Sequence, residues 1–165
     1  MGIEVLAGDI YLTTEPLRGG GLINDREARR RAAEVFNVME VDLDPGAVLG
    51  NLSTAFWQLT EIAKALAQDA QVLIMDEPTA ALGPAETAQV GELIKQLKSE
   101  GLGIFLISHD IHDVFDLADR VTVMKNGQVV GTGRVGDMTK DEVLGMIILG
   151  KCPPGAIPGP GAMVN

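Results

Sequence analysis

The chain has 165 residues, a length that fits one domain with its own hydrophobic core. Its 13 basic and 23 acidic residues give a net charge of −10, which argues against binding to nucleic acid or to anionic lipid. Cys152 is the only cysteine, so an intrachain disulfide is excluded and a reducing compartment is favoured. The N-terminus lacks a secretory signal and the apolar runs are far short of the roughly 20 residues that span a bilayer, so any membrane role requires a partner.

The first third of the chain predicts loops and a helix. The glycine run 19–21 is not followed by Gly-Lys-Ser/Thr, so it predicts a flexible linker and not a phosphate loop. Asn24 or Asp25 can cap a helix that extends to about Val38, and its arginine cluster is expected to form a solvated face. A loop with turn residues is expected over 42–50. The buried stripe of the helix is expected to contain Ala32, Val35, Phe36 and Met39.

A second helix is expected from Ser53 to Ala67. Ser53 is a suitable N-cap, and apolar residues recur at three- and four-residue spacing on one face. These residues are Leu59, Ile62, Ala63 and Leu66. Packing would maintain this helix whatever its function.

The segment 71–83 combines a predicted strand with two adjacent carboxylates. Val72 to Met75 are too few for a helix and predict a strand buried on both faces, and Pro78 ends it. Asp76 and Glu77 at its carboxyl end would repel each other and be costly to desolvate, so they need a cation or a chemical role. The pair fits either the metal ligand and water-polarising residue of a phosphoryl-transfer protein or a solvated acidic turn.

A βαβ unit is predicted around this segment. A helix from about Pro84 to Gly101 is followed by a strand over 104–107, which would pair in parallel with the first. The buried positions of the helix are expected to be Val90, Leu93, Ile94 and Leu97. His109 closes the second strand at the end where α/β sheets gather ligands, and taken alone it fits a structural or a catalytic role. His112 is expected on a helix surface.

The last third predicts a short helix, a hairpin and a further helix. The helix is expected over 110–118, the hairpin over 121–131 around Asn126-Gly127, and the final helix over 139–149. The tail from Cys152 is rich in proline and glycine and is expected to stay loose.

Three segments together resemble the ATP-binding cassette (ABC) ATPases. The stretch from Leu73 to Leu82 resembles the family's Walker B strand and D-loop. Asn51 to Gln58 resembles the signature segment, and Ile107 to Asp110 resembles the switch-histidine loop. From about Asp9 to Lys151 the chain is most similar to ATP-binding subunits of bacterial simple-sugar importers of the ribose, xylose and fructose type.

This resemblance implies a role for each matching residue. Asp76 would be the Mg²⁺ ligand, and Glu77 and His109 would be the catalytic residues that act on the attacking water and the γ-phosphate. The signature residues would face an ATP held mainly by a second ATPase subunit; they are Leu52, Ser53, Thr54 and Ala55. The D-loop residues, which couple the two sites of a dimer, would be Ala81, Leu82 and Gly83.

The sequence departs from the family pattern at three places. Thr54, Ala55 and Phe56 replace the usual Gly-Gly-Gln of the signature, and Gly83 replaces the usual aspartate of the D-loop. No Gly-x-x-x-x-Gly-Lys-Ser/Thr motif is present, so the cradle for the β- and γ-phosphates is missing. We expect the opening strands of the fold upstream of Met1, and we expect this chain alone to be inactive.

The expected fold class is α/β, an incomplete P-loop NTPase (ABC ATPase) fold with a parallel sheet core, helices, and a small C-terminal hairpin and helix. The expected segments are a helical, signature-containing part over 1–70, an α/β core over 71–150 and a tail over 151–165. ATP and Mg²⁺ would be the ligands. The partners would be a membrane permease and a second ATPase subunit, at the cytoplasmic face of the cell membrane, without nucleic acid and without direct membrane insertion. The alternative is a non-catalytic accessory module that pairs with a complete ATPase subunit or a permease.

Overall fold

The computed structural model describes residues 6–11, 16–17 and 23–163. In chain order the elements are α1 (Leu6–Ile10), α2 (Asp25–Val38), α3 (Thr54–Ala67), β1 (Val72–Asp76), α4 (Pro84–Ser99), β2 (Gly103–Ile107), α5 (Ile111–Leu117), β3 (Arg120–Lys125), β4 (Gln128–Arg134), α6 (Lys140–Leu149) and β5 (Ile157–Pro158). The chain divides into two compact units, Met1–Ile107 and Ser108–Asn165. The segment boundaries drawn from the sequence at 70/71 and 150/151 stay a prediction. The predicted linker at 19–21 lies outside the described residues.

Helices α1, α2 and α3 pack together in the first unit. α2 begins where the sequence predicts, because the Asn24 side chain accepts a hydrogen bond from the Glu27 N–H at 3.4 Å. Of its predicted stripe, Ala32, Phe36 and Met39 are buried, whereas Val35 is half-buried. The short helix α1 was not predicted.

One ion pair joins α1 to α3. The Lys64 ammonium lies 3.2 Å from Asp9 Oδ2 and 3.1 Å from Glu61 Oε1. Burial lowers the pKa of Lys64, but hydrogen bonding to Glu61 and Asp9 outweighs it, and the net pKa is raised. Lys64 therefore stays protonated at neutral pH and holds the two helices together.

β1, α4 and β2 form the predicted βαβ unit. The strands are parallel, with Ile74 beside Phe105 and Asp76 beside Ile107. α4 begins at Pro84 and buries all four predicted positions, Val90, Leu93, Ile94 and Leu97. After α4 the chain turns at Gly101, whose φ of +93° is readily adopted only by glycine.

The prediction that β1 is buried on both faces is wrong. Met75 is 3% exposed and Leu73 is half-buried, but Val72 and Ile74 on the other face are 55% and 69% exposed. β2 repeats this alternation, with Phe105 and Ile107 exposed at 68% and 52%. Asp76 shares the open face and is itself exposed, so the desolvation cost argued for the acid pair does not apply to it.

The second unit is built on the β3–β4 hairpin. Asn126 and Gly127 both have positive φ, at 51° and 75°, as a two-residue hairpin turn requires. The hairpin buries its core against α6, which the Thr139 hydroxyl caps by accepting the Glu142 N–H at 3.2 Å. The core residues are Val121, Val123, Val130, Val135, Val143 and Met146.

The prediction that the tail is loose is wrong. β5 pairs antiparallel with β4, and the N–H groups of Gly159 and Gly161 donate to Val130 O and Val129 O at 2.9 and 2.7 Å. The glycines permit this approach, because a Cβ on Gly159 would lie 2.2 Å from the Val129 carbonyl oxygen. Prolines cannot donate, but an edge strand uses only alternate N–H groups, so the proline-rich composition did not prevent pairing.

Candidate active site

Two carboxylates lie at the carboxyl end of β1. The parallel register places Asp76, the last residue of β1, beside Ile107, the last residue of β2. The next residue, Glu77, has a left-handed backbone with φ of 49°, and its N–H donates to the Ile107 carbonyl at 2.9 Å. This geometry fixes the point where the chain leaves the sheet, as the Asp-Glu-Pro sequence predicts.

The two ligands implied by the resemblance fit these residues differently. Within the ranges 6–11, 16–17 and 23–163, no group of three or more His, Cys, Asp and Glu residues is arranged to hold a metal ion. Mg²⁺, however, is commonly bound through one or two carboxylates together with phosphate oxygens, and the exposed Asp76 suits that mode. For ATP, the 165 residues contain no phosphate-loop motif that would cradle the β- and γ-phosphates.

The D-loop residues precede α4 in an exposed turn. Ala81 and Gly83 are exposed and Leu82 is half-buried. The Gly83 N–H donates to Glu86 Oε2 at 2.9 Å, so the turn is joined to the first turn of the helix. The Gly83 carbonyl accepts the Thr87 N–H at 2.9 Å, so both backbone polar groups of this residue are bonded within the chain.

The signature residues lie at the start of α3. Ser53 occupies the N-cap position as predicted, but its side chain makes no capping hydrogen bond. Ser53 and Thr54 are exposed, Leu52 is half-buried and Ala55 is buried. The Ala55 methyl group therefore packs inside the unit, whereas the Thr54 side chain faces solvent at the start of the helix.

Trp57 is a further candidate residue beside the signature residues, and the motif match alone does not single it out. Its Nε1–H donates to the carbonyl of Leu49 at 2.9 Å, across eight residues, while the ring is 50% exposed. The signal was available, because this is the only tryptophan of the chain and it lies within the signature segment.

His109 belongs to the second unit, in the loop before α5. It is exposed, and the loop is held by the Asp110 N–H, which donates to Ser108 Oγ at 3.0 Å. The Asp110 carboxylate caps α5 by accepting the His112 N–H at 2.7 Å. His112 lies on the helix surface, as predicted, with its Nδ1 2.9 Å from Lys140 Nζ. The catalytic role of His109 stays a prediction.

Comparison with known proteins identifies the family. A sequence model described as ABC transporter matches residues 7–80, which include the signature segment and both carboxylates. The ribose import ATP-binding protein RbsA 3 of Rhizobium meliloti is 43% identical over 143 residues, covering 87% of this chain and 28% of that protein. Residues 7–80 of the chain belong to the ABC transporter family. The resemblance stated from its sequence motifs is thereby confirmed.

Further relatives resemble the chain in sequence and in fold. A protein of Hahella chejuensis whose name includes ribose/galactose/methyl galactoside import ATP-binding protein is 38% identical, covering 90% of this chain and 29% of that protein. An inward-facing metal-chelate type ABC transporter superimposes with a TM-score of 0.75 at 18% identity, covering 90% of this chain and 59% of that one. A dimeric ATP-binding cassette bound to ADP and Pi superimposes at 0.60 with 25% identity, covering 79% and 54%.

These matches confirm the α/β cassette fold, although the matched proteins are longer than this chain. The chain spans less than a third of the length of the curated relatives it matches. No helix among the described residues is both long and apolar enough to cross a membrane.

Proposed function

We propose that the chain supplies the signature, Walker B, D-loop and switch-histidine parts of the ATP-binding subunit of a carbohydrate importer. Asp76 is the metal ligand in this proposal, Glu77 is the base that orients and deprotonates the attacking water, and His109 contacts the γ-phosphate. Mg²⁺, when bound, neutralises the charge of the transferred phosphoryl group.

The observation that carries the proposal is the geometry at the end of β1. A left-handed glutamate is uncommon and costs about 1–2 kcal/mol. Here the hydrogen bond from the Glu77 N–H to the Ile107 carbonyl holds that conformation at the carboxyl end of the parallel strands, where α/β proteins bind their ligands. Strain retained at a carboxylate in such a place supports a functional role.

The second part of the proposal concerns residues that act on a neighbouring subunit. Ser53 offers an exposed hydroxyl group. The N–H groups in the first turn of α3 follow it, and N–H groups at the start of a helix attract an anion. We assign Leu52, Ser53, Thr54 and Ala55 to the nucleotide of a second ATPase subunit, and Ala81, Leu82 and Gly83 to the contact between the subunits. A relative of the same fold that is dimeric supports this arrangement.

The substrate class follows from the relatives. Proteins 37–43% identical over nearly the whole chain have names that refer to import of ribose, galactose or methyl galactoside. The intact protein would therefore hydrolyse ATP to drive sugar uptake, docked on a permease at the cytoplasmic face of the membrane. The alternative of a non-catalytic accessory module gains no support from the comparisons.

Hydrolysis tests the proposal most directly. The chain alone is expected to release no phosphate from MgATP, since it contains no phosphate-loop motif. A chimera that joins the preceding part of the R. meliloti relative to Met1 is expected to hydrolyse MgATP. Glu77→Gln in the chimera should lower kcat about 100- to 10,000-fold, because the base is lost while the shape is kept.

The matched control is Glu100→Gln, which neutralises an exposed carboxylate just beyond α4. Its kcat should equal that of the unmodified chimera. A folded chimera whose activity does not depend on Glu77 would contradict the proposal. Activity of the chain alone that disappears on Glu77→Gln would contradict the predicted need for the phosphate loop.

A further inference from the structure

We propose that Trp57 is the positioning residue of the signature turn: its indole fixes the segment that leads into Ser53. This inference rests on the proposed function, because it assumes that the start of α3 receives a phosphate group. The position is occupied by the only tryptophan in the chain.

One carbonyl group connects the parts of this turn. Leu49 O accepts the Leu52 N–H at 3.1 Å and the Trp57 Nε1–H at 2.9 Å. The first bond comes from the residue before Ser53, and the second comes from a side chain four residues after it. The two donors, the Leu52 N–H and the Trp57 indole, lie on either side of Ser53 in the sequence and share the Leu49 carbonyl. The turn at 49–51 is thereby fixed to the first turn of α3.

Two other helices of the chain begin differently. α2 and α6 are held by their own N-cap side chains, Asn24 and Thr139, which accept N–H groups of the first turn at 3.4 and 3.2 Å. Ser53 makes no such bond. The indole anchors the start of α3 from outside the cap position, so the Ser53 hydroxyl and the first N–H groups stay available to an anion.

The indole suits this task for two reasons. It is rigid, with only two side-chain torsions, so holding it in place costs little conformational entropy. Its N–H is a donor only and has a single well-defined direction. Preorganised donors contribute to binding because they need no rearrangement when charge arrives.

Inorganic phosphate is the probe that tests the role in the full 165-residue chain. Amide NMR shifts of residues 53–56 are followed as phosphate is added to the wild type, to Trp57→Phe and to Tyr11→Phe. Trp57→Phe keeps an aromatic ring and removes the donor. It should raise the phosphate Kd about two- to tenfold, as expected for one lost hydrogen bond, and should speed amide exchange at 52–56.

Tyr11→Phe is the matched control, because it removes a polar group from the ring of another aromatic residue in the same unit. Its phosphate Kd and the exchange rates at 52–56 should equal those of the wild type. An unchanged phosphate Kd in a folded Trp57→Phe chain overturns the inference, as does a wild type without shifts at 53–56. If the chimera still hydrolyses MgATP through Glu77, either result overturns this inference alone and leaves the proposed function standing.

Discussion

Glu77 shows how a single backbone angle can mark a functional position. Four non-glycine residues of the described ranges have positive φ, namely Glu40, Asp69, Glu77 and Asn126. Asn126 is explained by its hairpin turn, and Glu40 and Asp69 directly follow the C-caps of α2 and α3, where a left-handed residue is common. Glu77 has no such local preference, so its conformation depends on the bond to Ile107 and on Pro78, which is buried directly after it.

Glu27 on α2 gives a prediction about pH. Hydrogen bonds from Arg30 and Arg31 lower the pKa of its carboxyl group from 4.5 to about 2. Because the folded-state pKa is depressed, the contribution of Glu27 to stability is complete above about pH 4.5 and is lost as the pH falls toward 2. An NMR titration of the side chain should give a midpoint near 2, and Arg30→Gln should raise it.

Arg26→Gln is the control for this titration, since Arg26 lies on the same helix but forms no ion pair with Glu27. It should leave the Glu27 midpoint nearly unchanged. An equal rise in both variants would mean that the general positive charge of α2, and not the specific hydrogen bonds, sets the pKa.

At the scale of elements, local signals were sufficient for most helix and turn boundaries. Asn24, Thr139 and the Asn126-Gly127 pair act within a few residues of their own position, so their effects could be predicted from the sequence. The burial of β1 could not, because a strand's two faces depend on elements distant in sequence. β5 was missed because its pairing depends on the close approach of Gly159 to β4, which composition does not reveal.

At the candidate site, too, local features could be predicted from the sequence and contacts between distant residues could not. The sequence predicted that Asp76 and Glu77 follow a parallel strand, which is a local property of the motif. It did not predict the left-handed φ of Glu77 or the bond from Trp57 to Leu49. Both involve a hydrogen-bond partner that lies eight or more residues away along the chain.

β5 gives a prediction for Gly159→Ala. The added Cβ would meet the Val129 oxygen, so the segment must move away from β4 and lose its hydrogen bonds. Overpacking of this kind costs about 1–3 kcal/mol, and amide exchange should show that loss in the opening free energy of Gly161. Gly136→Ala, where nothing lies within 4 Å of the added methyl group, should leave that exchange unchanged. Equal protection in both variants would show that the tail does not depend on this contact.

For the whole molecule, the dominant feature is the open face of the β1–β2 sheet. Its apolar members are Val72, Ile74, Phe105 and Ile107. Side chains of this size are seldom exposed side by side in a monomeric protein. Among the described residues only β1 pairs with β2, and an unpaired strand edge can pair with another chain.

We therefore expect the chain to associate with itself, and Phe105→Thr to reduce this association. Threonine keeps the β-propensity of the position and removes the apolar ring. Sedimentation velocity should show a sedimentation coefficient that rises with concentration for the wild type and rises less for the variant. Added salt should strengthen the association by screening the net charge of −10.

Met124→Thr is the matched control, since it removes an exposed apolar side chain, 63% accessible, from β3 in the second unit. Its sedimentation should follow the wild type. A wild-type chain that sediments as a monomer at every micromolar concentration would contradict the expectation, and so would an equal effect of both substitutions.

The single thiol of the chain lies beside the segment that pairs with the hairpin. Cys152 is half-buried, and its Sγ is 3.8 Å from the carbonyl oxygens of Pro153 and Ala156. A maleimide dye would therefore attach at one position, and labelling should become faster when the C-terminal segment detaches from the hairpin. The native thiol can thus report on the detachment of β5 without an engineered cysteine.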